Sequence, residues 1–253
     1  MRITFLGTGT SQGVPVIACG CEVCRSLDFR DKRLRVSIHI EIEGKSFVID
    51  TGPDFRQQML RERIQNLDAV IFTHEHKDHT AGLDDVRAYN FSQKKDMPIY
   101  ARPTVLEQIQ QEFAYAFAEI KYPGTPQITL NEIYHSPFVV EGITFNPIEV
   151  LHYKLPVYGF RVGDFTYITD VNYISDQALE KVKGSKVLVI GALRKEKHIS
   201  HFTLDEAIEV FKKVQPEQGF ITHISHQMGL HREVEEELPP FVRLAYDGLS
   251  ITC

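Results

Sequence analysis

The chain has 253 residues, 43% of them hydrophobic and 25% charged, and a formal net charge of −6. That size and balance fit a globular protein with an ample core, arranged as one large domain or two small ones. No apolar run approaches the roughly 20 residues needed to cross a bilayer, Met1-Arg2-Ile3-Thr4-Phe5 reads as a strand and not a signal peptide, and the negative charge argues against a nucleic-acid surface built on bulk positive charge. A cytoplasmic protein is expected.

Ile3-Thr4-Phe5-Leu6 reads as a first strand running into Gly7-Thr8-Gly9-Thr10-Ser11-Gln12-Gly13. This loop lacks the Gly-Lys-Ser/Thr ending of a P-loop, so it reads either as a loop that lets backbone approach a site closely or as a plain turn. Cys19, Cys21 and Cys24 follow, too close together to bridge one another easily but well spaced for thiolates to converge on one ion. A fourth ligand must come from elsewhere, and Thr222-His223-Ile224-Ser225-His226-Gln227 offers a histidine. Free buried thiols or a redox cluster are the alternatives. Cys253 is not expected to take part.

Residues 36–42 and 44–50 alternate about Glu43-Gly44 as a hairpin. The second strand ends at Asp50, placed either to accept the second ring N–H of a ligating histidine or to cap the segment starting near Asp54. Residues 55–63 have helical composition, and 67–72 form an apolar run that reads as a buried strand. Directly after it comes Thr73-His74-Glu75-His76-Lys77-Asp78-His79, three imidazoles and a carboxylate in six positions at the end of a strand. Extended backbone points His74 and His76 the same way, and Asp78 with His79 can turn to a second point nearby, which suits two metals. The competing reading is a polar surface turn.

Further on, residues 98–101 read as a strand and 103–117 as one helix with Pro at its first turn, its Phe113, Tyr115 and Phe117 packing inward. Tyr122-Pro123-Gly124-Thr125-Pro126 is a loop, and 132–140 with 143–150 reads as a second meander ending at Leu151-His152-Tyr153. Residues 158–162 and 165–169 form a hairpin that ends at Asp170; 175–183 is a helix and 186–190 a buried strand. Thr203 and Glu206 have the spacing of a capping box opening another helix after His201, and 218–223 is a strand that delivers His223. No Pro-, Gly- or Ser-rich linker separates the halves, so residues 1–253 are expected to form one domain of two similar βαβ-rich halves.

With these residues in view, the chain resembles the metallo-β-lactamase superfamily: His74, His76, Asp78 and His79 match its HxHxDH motif, and His152, Asp170 and His223 match the later ligands in order and setting. The resemblance covers nearly the full length and implies an α/β fold, a four-layer αβ/βα sandwich with a dinuclear site along the edge of two sheets. Within the superfamily the chain looks most like the phosphoribosyl 1,2-cyclic phosphodiesterases of the carbon-phosphorus lyase pathway, through Gly13-Val14-Pro15 leading into the cysteine loop and through Thr222 to Gln227. That likeness implies a structural zinc held by Cys19, Cys21, Cys24 and His226. It also implies that His201 contacts the phosphate or protonates the leaving group. The cysteine loop is shared with a group involved in making pyrroloquinoline quinone, whose members depart from the metal motif that is complete here. Residues 84–134 match no motif.

By ligand chemistry, His74, His76 and His152 would hold one ion and Asp78, His79 and His223 the other, with Asp170 bridging. Zinc, manganese and iron all accept such donors. The chemistry expected is attack on a small phosphodiester, a cyclic ribose phosphate included, by a water activated between the ions, with Asp78 in the catalytic centre and His201 giving a proton to the alkoxide as an imidazolium, unless His201 serves only a structural hydrogen bond. A carbon-ester hydrolase of the thioesterase, lactonase or β-lactamase kind could use the same site. A tRNA-processing nuclease would need a basic exosite, for which no Lys/Arg-rich insertion is present. A non-catalytic metal-binding protein leaves the complete ligand set unexplained. The partner expected is a small-molecule phosphodiester, with no membrane and no nucleic acid, and with a homodimer left open.

Overall fold

Apolar alternation with a period of two builds two seven-stranded sheets, and the computed structural model describes all residues from Met1 to Cys253. In the first sheet β1 (Arg2–Gly7), β2 (Ser37–Ile42), β3 (Lys45–Ile49), β4 (Ala69–Ile71), β5 (Met97–Ala101) and β6 (Ile128–Glu132) lie side by side in chain order. In the second, β7 (Phe138–Val140), β8 (Ile143–His152), β9 (Leu155–Val162), β10 (Phe165–Ile168), β11 (Val187–Gly191), β12 (Gln218–Thr222) and β13 (Val242–Leu244) do the same. The last strand, β14 (Ser250–Thr252), returns to the free edge of β1. Pairing is antiparallel from β14 to β3 and from β7 to β10, then parallel from β3 to β6 and from β10 to β13. Short turns join β2 to β3 and run through β7 to β10, a long loop over residues 8–36 joins β1 to β2, and helical crossovers give the parallel pairs, so the two halves largely repeat one plan.

The alternation sorts side chains between layers. Phe47 and Ile49 of β3 point into the core between the sheets with Phe145, Phe160 and Tyr167 of the other half, while Val48 points outward. On that outer face α2 (Phe55–Glu62), α4 (Arg87–Gln93) and α5 (Pro103–Glu112) bury Phe55, Met59, Tyr89 and Ile109. Two short helices, α1 (Glu22–Arg25) and α3 (Lys77–Thr80), belong to loops, and α6 (Ala114–Phe117) follows α5. On the far side α7 (Asp176–Val182), α8 (Leu204–Val214) and α9 (His231–Glu237) cover the second sheet with Val182, Phe211 and Val234. The result is the four-layer α/β sandwich, and no helix is long and apolar enough to cross a membrane.

Three expectations need correction. The helix expected over 103–117 breaks at Phe113, whose ψ of 36° leaves the helical range, into α5 and α6. Of its three aromatics Phe113 is buried, but Tyr115 is 45% exposed and donates its hydroxyl to Asp84. Residues 132–140 are not one strand: β6 ends at Glu132 in the first sheet and β7 starts at Phe138 at the edge of the second. Pro137, with no N–H to give a ladder, sits where the chain crosses between sheets. The capping box is present, Thr203 accepting from Glu206 N and Glu206 accepting from Thr203 N.

Candidate metal centre

Both sheets deliver polar residues from their strand ends to one place. Asp50 follows β3, His74 and His76 follow β4, His152 ends β8, Asp170 lies just beyond β10 and His223 follows β12. Asp50, Asp170 and His223 adopt left-handed backbone, with φ of 66°, 41° and 58°, a conformation that costs non-glycine residues free energy and is kept where the surroundings impose it. Asp78 and His79 ride on α3, which at four residues is too short to hold itself together. The loop after β3 clamps it: Thr51 N donates to His79 O at 2.7 Å, and Gly82 N to Thr51 O at 2.8 Å. A Cβ on Gly52 would lie 2.2 Å from the Asp78 carbonyl oxygen, and one on Gly82 would lie 2.1 Å from that of Gly52, so only glycines allow this approach.

The side chains form two groups with one member in common. Ligand atoms of His74, His76, His152 and Asp170 lie within 4.8 Å of one another, as do those of Asp78, His79, Asp170 and His223. The Asp170 carboxylate divides between them. Its Oδ2 faces His74 Nε2 at 3.8 Å and His152 Nε2 at 3.7 Å; its Oδ1 faces His79 Nε2 at 3.4 Å and His223 Nε2 at 2.9 Å. The Nε2 atoms of His79 and His223 are buried and make no hydrogen bond of good geometry. Ligands each about 2.1 Å from one ion stand roughly 3.0–3.5 Å apart, which is the spacing here, so the residues fit divalent cations.

The outer nitrogens are tied down. His79 Nδ1 donates to Asp50 Oδ2 at 2.7 Å, His74 Nδ1 to Thr73 Oγ1 at 2.9 Å and His152 Nδ1 to the Ser200 carbonyl at 2.8 Å. Asp50 in turn accepts from Thr73 N and Thr73 Oγ1, which gives it the ligand-orienting role and not that of a helix cap. These bonds fix the tautomers and turn Nε2 towards the centre, where that of His74 meets His76 Nδ1 at 3.0 Å.

The electrostatics ask for positive charge. Burial works against a charged His79, yet Asp78, Asp170 and Asp50 outweigh it and hold the imidazole well above its usual range. Burial likewise opposes an ionised Asp170, but His223 and His79 keep the carboxyl well below the normal carboxylate range. His74, buried and beside His79, is pushed well below its ordinary value. Protons on His79 and His223 thus stand where cations would balance the carboxylates.

His201 lies beside the centre, its ring stacked 4.8 Å from that of His223 and tilted by 53° against that of His152 at 4.6 Å. Burial first, and then the charge on His223, push it down to about 3. The imidazolium expected for His201 is therefore not its resting form; the ring is neutral. His198, 5.2 Å from His201 ring to ring, is a neighbour that sequence reasoning passed over, although it stands in Lys197-His198-Ile199-Ser200-His201.

The second cluster sits on the cysteine loop. The Sγ atoms of Cys19, Cys21 and Cys24 lie 3.4, 3.3 and 3.6 Å from His226 Nδ1, and the four ligand atoms converge within 4.8 Å. The backbone N–H of Cys24 and the His226 ring pull Cys21 down to about 6, while burial pushes Cys24 up to about 11. Three thiols round one imidazole cannot all ionise unless a cation joins them. His226, and not His223, is the histidine that reaches this group.

A sequence profile of the beta-lactamase superfamily domain matches residues 45–224. The octanoyltransferase of Porphyromonas gingivalis is 41% identical over 253 residues, a match that takes in 99% of this chain and 51% of that protein. The chain spans about half the length of the curated relatives it matches. Among solved structures, a diphosphatase of the PhnP family superimposes with a TM-score of 0.93 at 39% identity, over 99% of this chain and 97% of the other. Zn(2+)-bound PqqB from Methylobacterium extorquens gives 0.83 at 17% identity over the whole of both chains, a likeness of fold alone. With clusters of potential ligands on the strand ends of that fold, the chain belongs to the beta-lactamase superfamily and, within it, to the PhnP family.

Proposed function

We propose that the protein hydrolyses a small phosphoryl compound, either the phosphodiester of a cyclic ribose phosphate or the phosphoanhydride of a diphosphate, at a dinuclear centre held by His74, His76, Asp78, His79, His152, Asp170 and His223. The observation that carries this reading is the division of Asp170 between the two groups, Oδ1 to one and Oδ2 to the other. Bound there, divalent zinc, manganese or iron would supply Lewis acidity, lowering the pKa of water and offsetting charge on phosphoryl oxygens. The likeness to the PhnP-family diphosphatase supports a phosphoryl substrate.

The chain's own groups set the rest. Asp50 and the Ser200 carbonyl fix the Nδ1 protons of His79 and His152, so these rings cannot flip away from the centre. Asp170, His74 and His79 are buried, which keeps bulk water from screening the site. Neutral His201 offers one ring N–H to a phosphoryl oxygen and, beside a bound anionic phosphate, can gain the proton a departing alkoxide needs. Cys19, Cys21, Cys24 and His226 would hold a structural zinc in closed coordination. Ligands that must stay reduced suit the cytoplasm.

Steady-state hydrolysis of ribose 1,2-cyclic phosphate and of a dinucleoside diphosphate by the metal-loaded protein tests this, with Asp78→Ala and His201→Ala as controls. Turnover of either compound, lost in Asp78→Ala, is expected. One observation favours a second reading, cleavage of an acyl thioester: the relative named octanoyltransferase. That protein is about twice as long, and the half this chain does not match has room for the transfer reaction itself. Fast hydrolysis of an octanoyl thioester with none of the phosphoryl compounds would replace the first reading by the second.

A further inference from the structure

Residues 103–117 contain no motif, yet they press on the metal-ligand helix. Glu112 closes α5, where the helix dipole disfavours a carboxylate. Its side chain is only 10% accessible. Oε1 meets Lys77 Nζ at 2.5 Å and accepts from Gln108 Nε2 at 2.7 Å, and Oε2 lies 3.5 Å from Thr80 Oγ1, whose one proton is shared with a second acceptor, His76 O, at 3.3 Å. Lys77 and Thr80 are the first and last residues of α3, and the two between them are Asp78 and His79. One carboxylate therefore holds the start of a four-residue helix whose middle carries ligand atoms, and touches its end. The break at Phe113 brings the chain back so that Tyr115 reaches Asp84, just past α3, and so reinforces the hold.

We infer that Glu112 is a positioning residue, through α3, chiefly for the ion on the Asp78, His79 and His223 side, and that it acts less on the ion on the His74, His76 and His152 side. The asymmetry follows from attachment. His74 and His152 are fixed by strand ends and their own Nδ1 bonds, and only His76, the N-cap of α3, adjoins the helix on that side. On the other side Asp78 and His79 both ride on α3, and although His79 is tied to Asp50, Asp78 has no such bond. This inference rests on the dinuclear reading proposed above.

The test is a cobalt(II) titration of the full-length protein, wild type against Glu112→Ala and Glu112→Gln. The d–d absorption follows the His/Asp centre, and the thiolate-to-cobalt band follows the cysteine cluster separately. Amide exchange of Thr80 and Ala81, which donate to His76 O and Lys77 O, reports on α3 without any metal. Glu112→Ala is expected to weaken one of the two His/Asp binding steps by roughly tenfold or more, within the range for removing the partner of a ligand. The other step should weaken less, the thiolate band should stay as in wild type, and exchange at Thr80 and Ala81 should speed up. Glu112→Gln keeps an acceptor for Thr80 and is expected to recover part of the loss. Wild-type binding steps and exchange rates in Glu112→Ala would overturn the inference, as would equal weakening of both steps. A wild-type protein that takes no cobalt at the His/Asp centre would instead defeat the dinuclear reading, and the exchange rates would still show whether Glu112 braces α3.

Discussion

The two ligand clusters hang from the same strand end, His223 directly after β12 and His226 three residues later, yet they are held in opposite ways. The His/Asp cluster stands on the ends of β4, β8, β10 and β12, whose inner and outer faces are packed in the large hydrophobic clusters. The cysteine cluster stands on a loop and a four-residue helix whose own core is Val14, Val23 and Cys24. Sheets hold the first set of residues in place by themselves, whereas the second set has only a three-residue buried cluster beneath it. The cysteine loop has some support without metal: Arg33 donates to Thr8 Oγ1 at 2.8 Å and to the Ala245 carbonyl at 2.6 Å, and Asp31 accepts from His231 N. Removing cations should therefore cost activity at one cluster and stability at the other.

Breaking the first cluster gives the largest effect. Asp170→Asn removes the carboxylate that both groups share and is expected to lower kcat/KM by roughly 10³-fold, the order seen when a site loses a key charge-stabilising group. The far-ultraviolet circular dichroism should not change. Breaking the second inverts the pattern: Cys21→Ser is expected to lower Tm by about 10 °C, corresponding to a few kcal/mol, with the His/Asp ions still bound. Differential scanning calorimetry in matched metal buffers measures this, and an unchanged Tm would mean that the loop holds itself.

A histidine outside both clusters sharpens the contrast. His39, buried in β2 and bonded through Nε2 to Ser46 Oγ at 2.8 Å, is pushed down to about 4 by burial and by Arg2. Its folded pKa lies below its unfolded value near 6.5, so the unfolded chain binds the proton more readily between the two. Stability is complete above about pH 6.5 and falls by about 3 kcal/mol as the pH drops towards 4. Urea unfolding of the metal-free protein across that window should show the slope, and His39→Gln should flatten it. A smaller effect is expected for Asp50→Asn, which loosens His79 without deleting a ligand: roughly 10–100-fold in metal affinity, read by competition with a chelator. The smallest is Thr203→Ala, which removes the cap that starts α8 just after His201 and should cost about 1 kcal/mol in thermal unfolding.

What could be read from the sequence follows the same division. Thr73 to His79 packs four candidate ligands into a span governed by one strand end, and local periodicity gave the hairpins about Glu43-Gly44 and Gly163-Asp164. Contacts across the fold were harder to read. The residues alone left His223 and His226 equally eligible to complete the cysteine site, 207 positions from Cys19 in the case of His226, and only the family likeness chose between them. Asp50 could cap a helix or orient a ligand until folding brought it to His79, 29 positions away. Glu112 has no local signature, because a glutamate at a helix end is meaningful only once α3 is known to lie against it. The edge strands β13 and β14, three residues each, are too short to carry a period.

The most direct test of this division is the metal content of the purified protein by inductively coupled plasma mass spectrometry, together with that of Asp170→Asn and Cys21→Ser. Three ions per chain are predicted for the wild type, one for Asp170→Asn and two for Cys21→Ser, as the two groups sharing Asp170 and the separate cysteine group require. A wild type holding a single ion, or an Asp170→Asn protein that keeps all three, would contradict it.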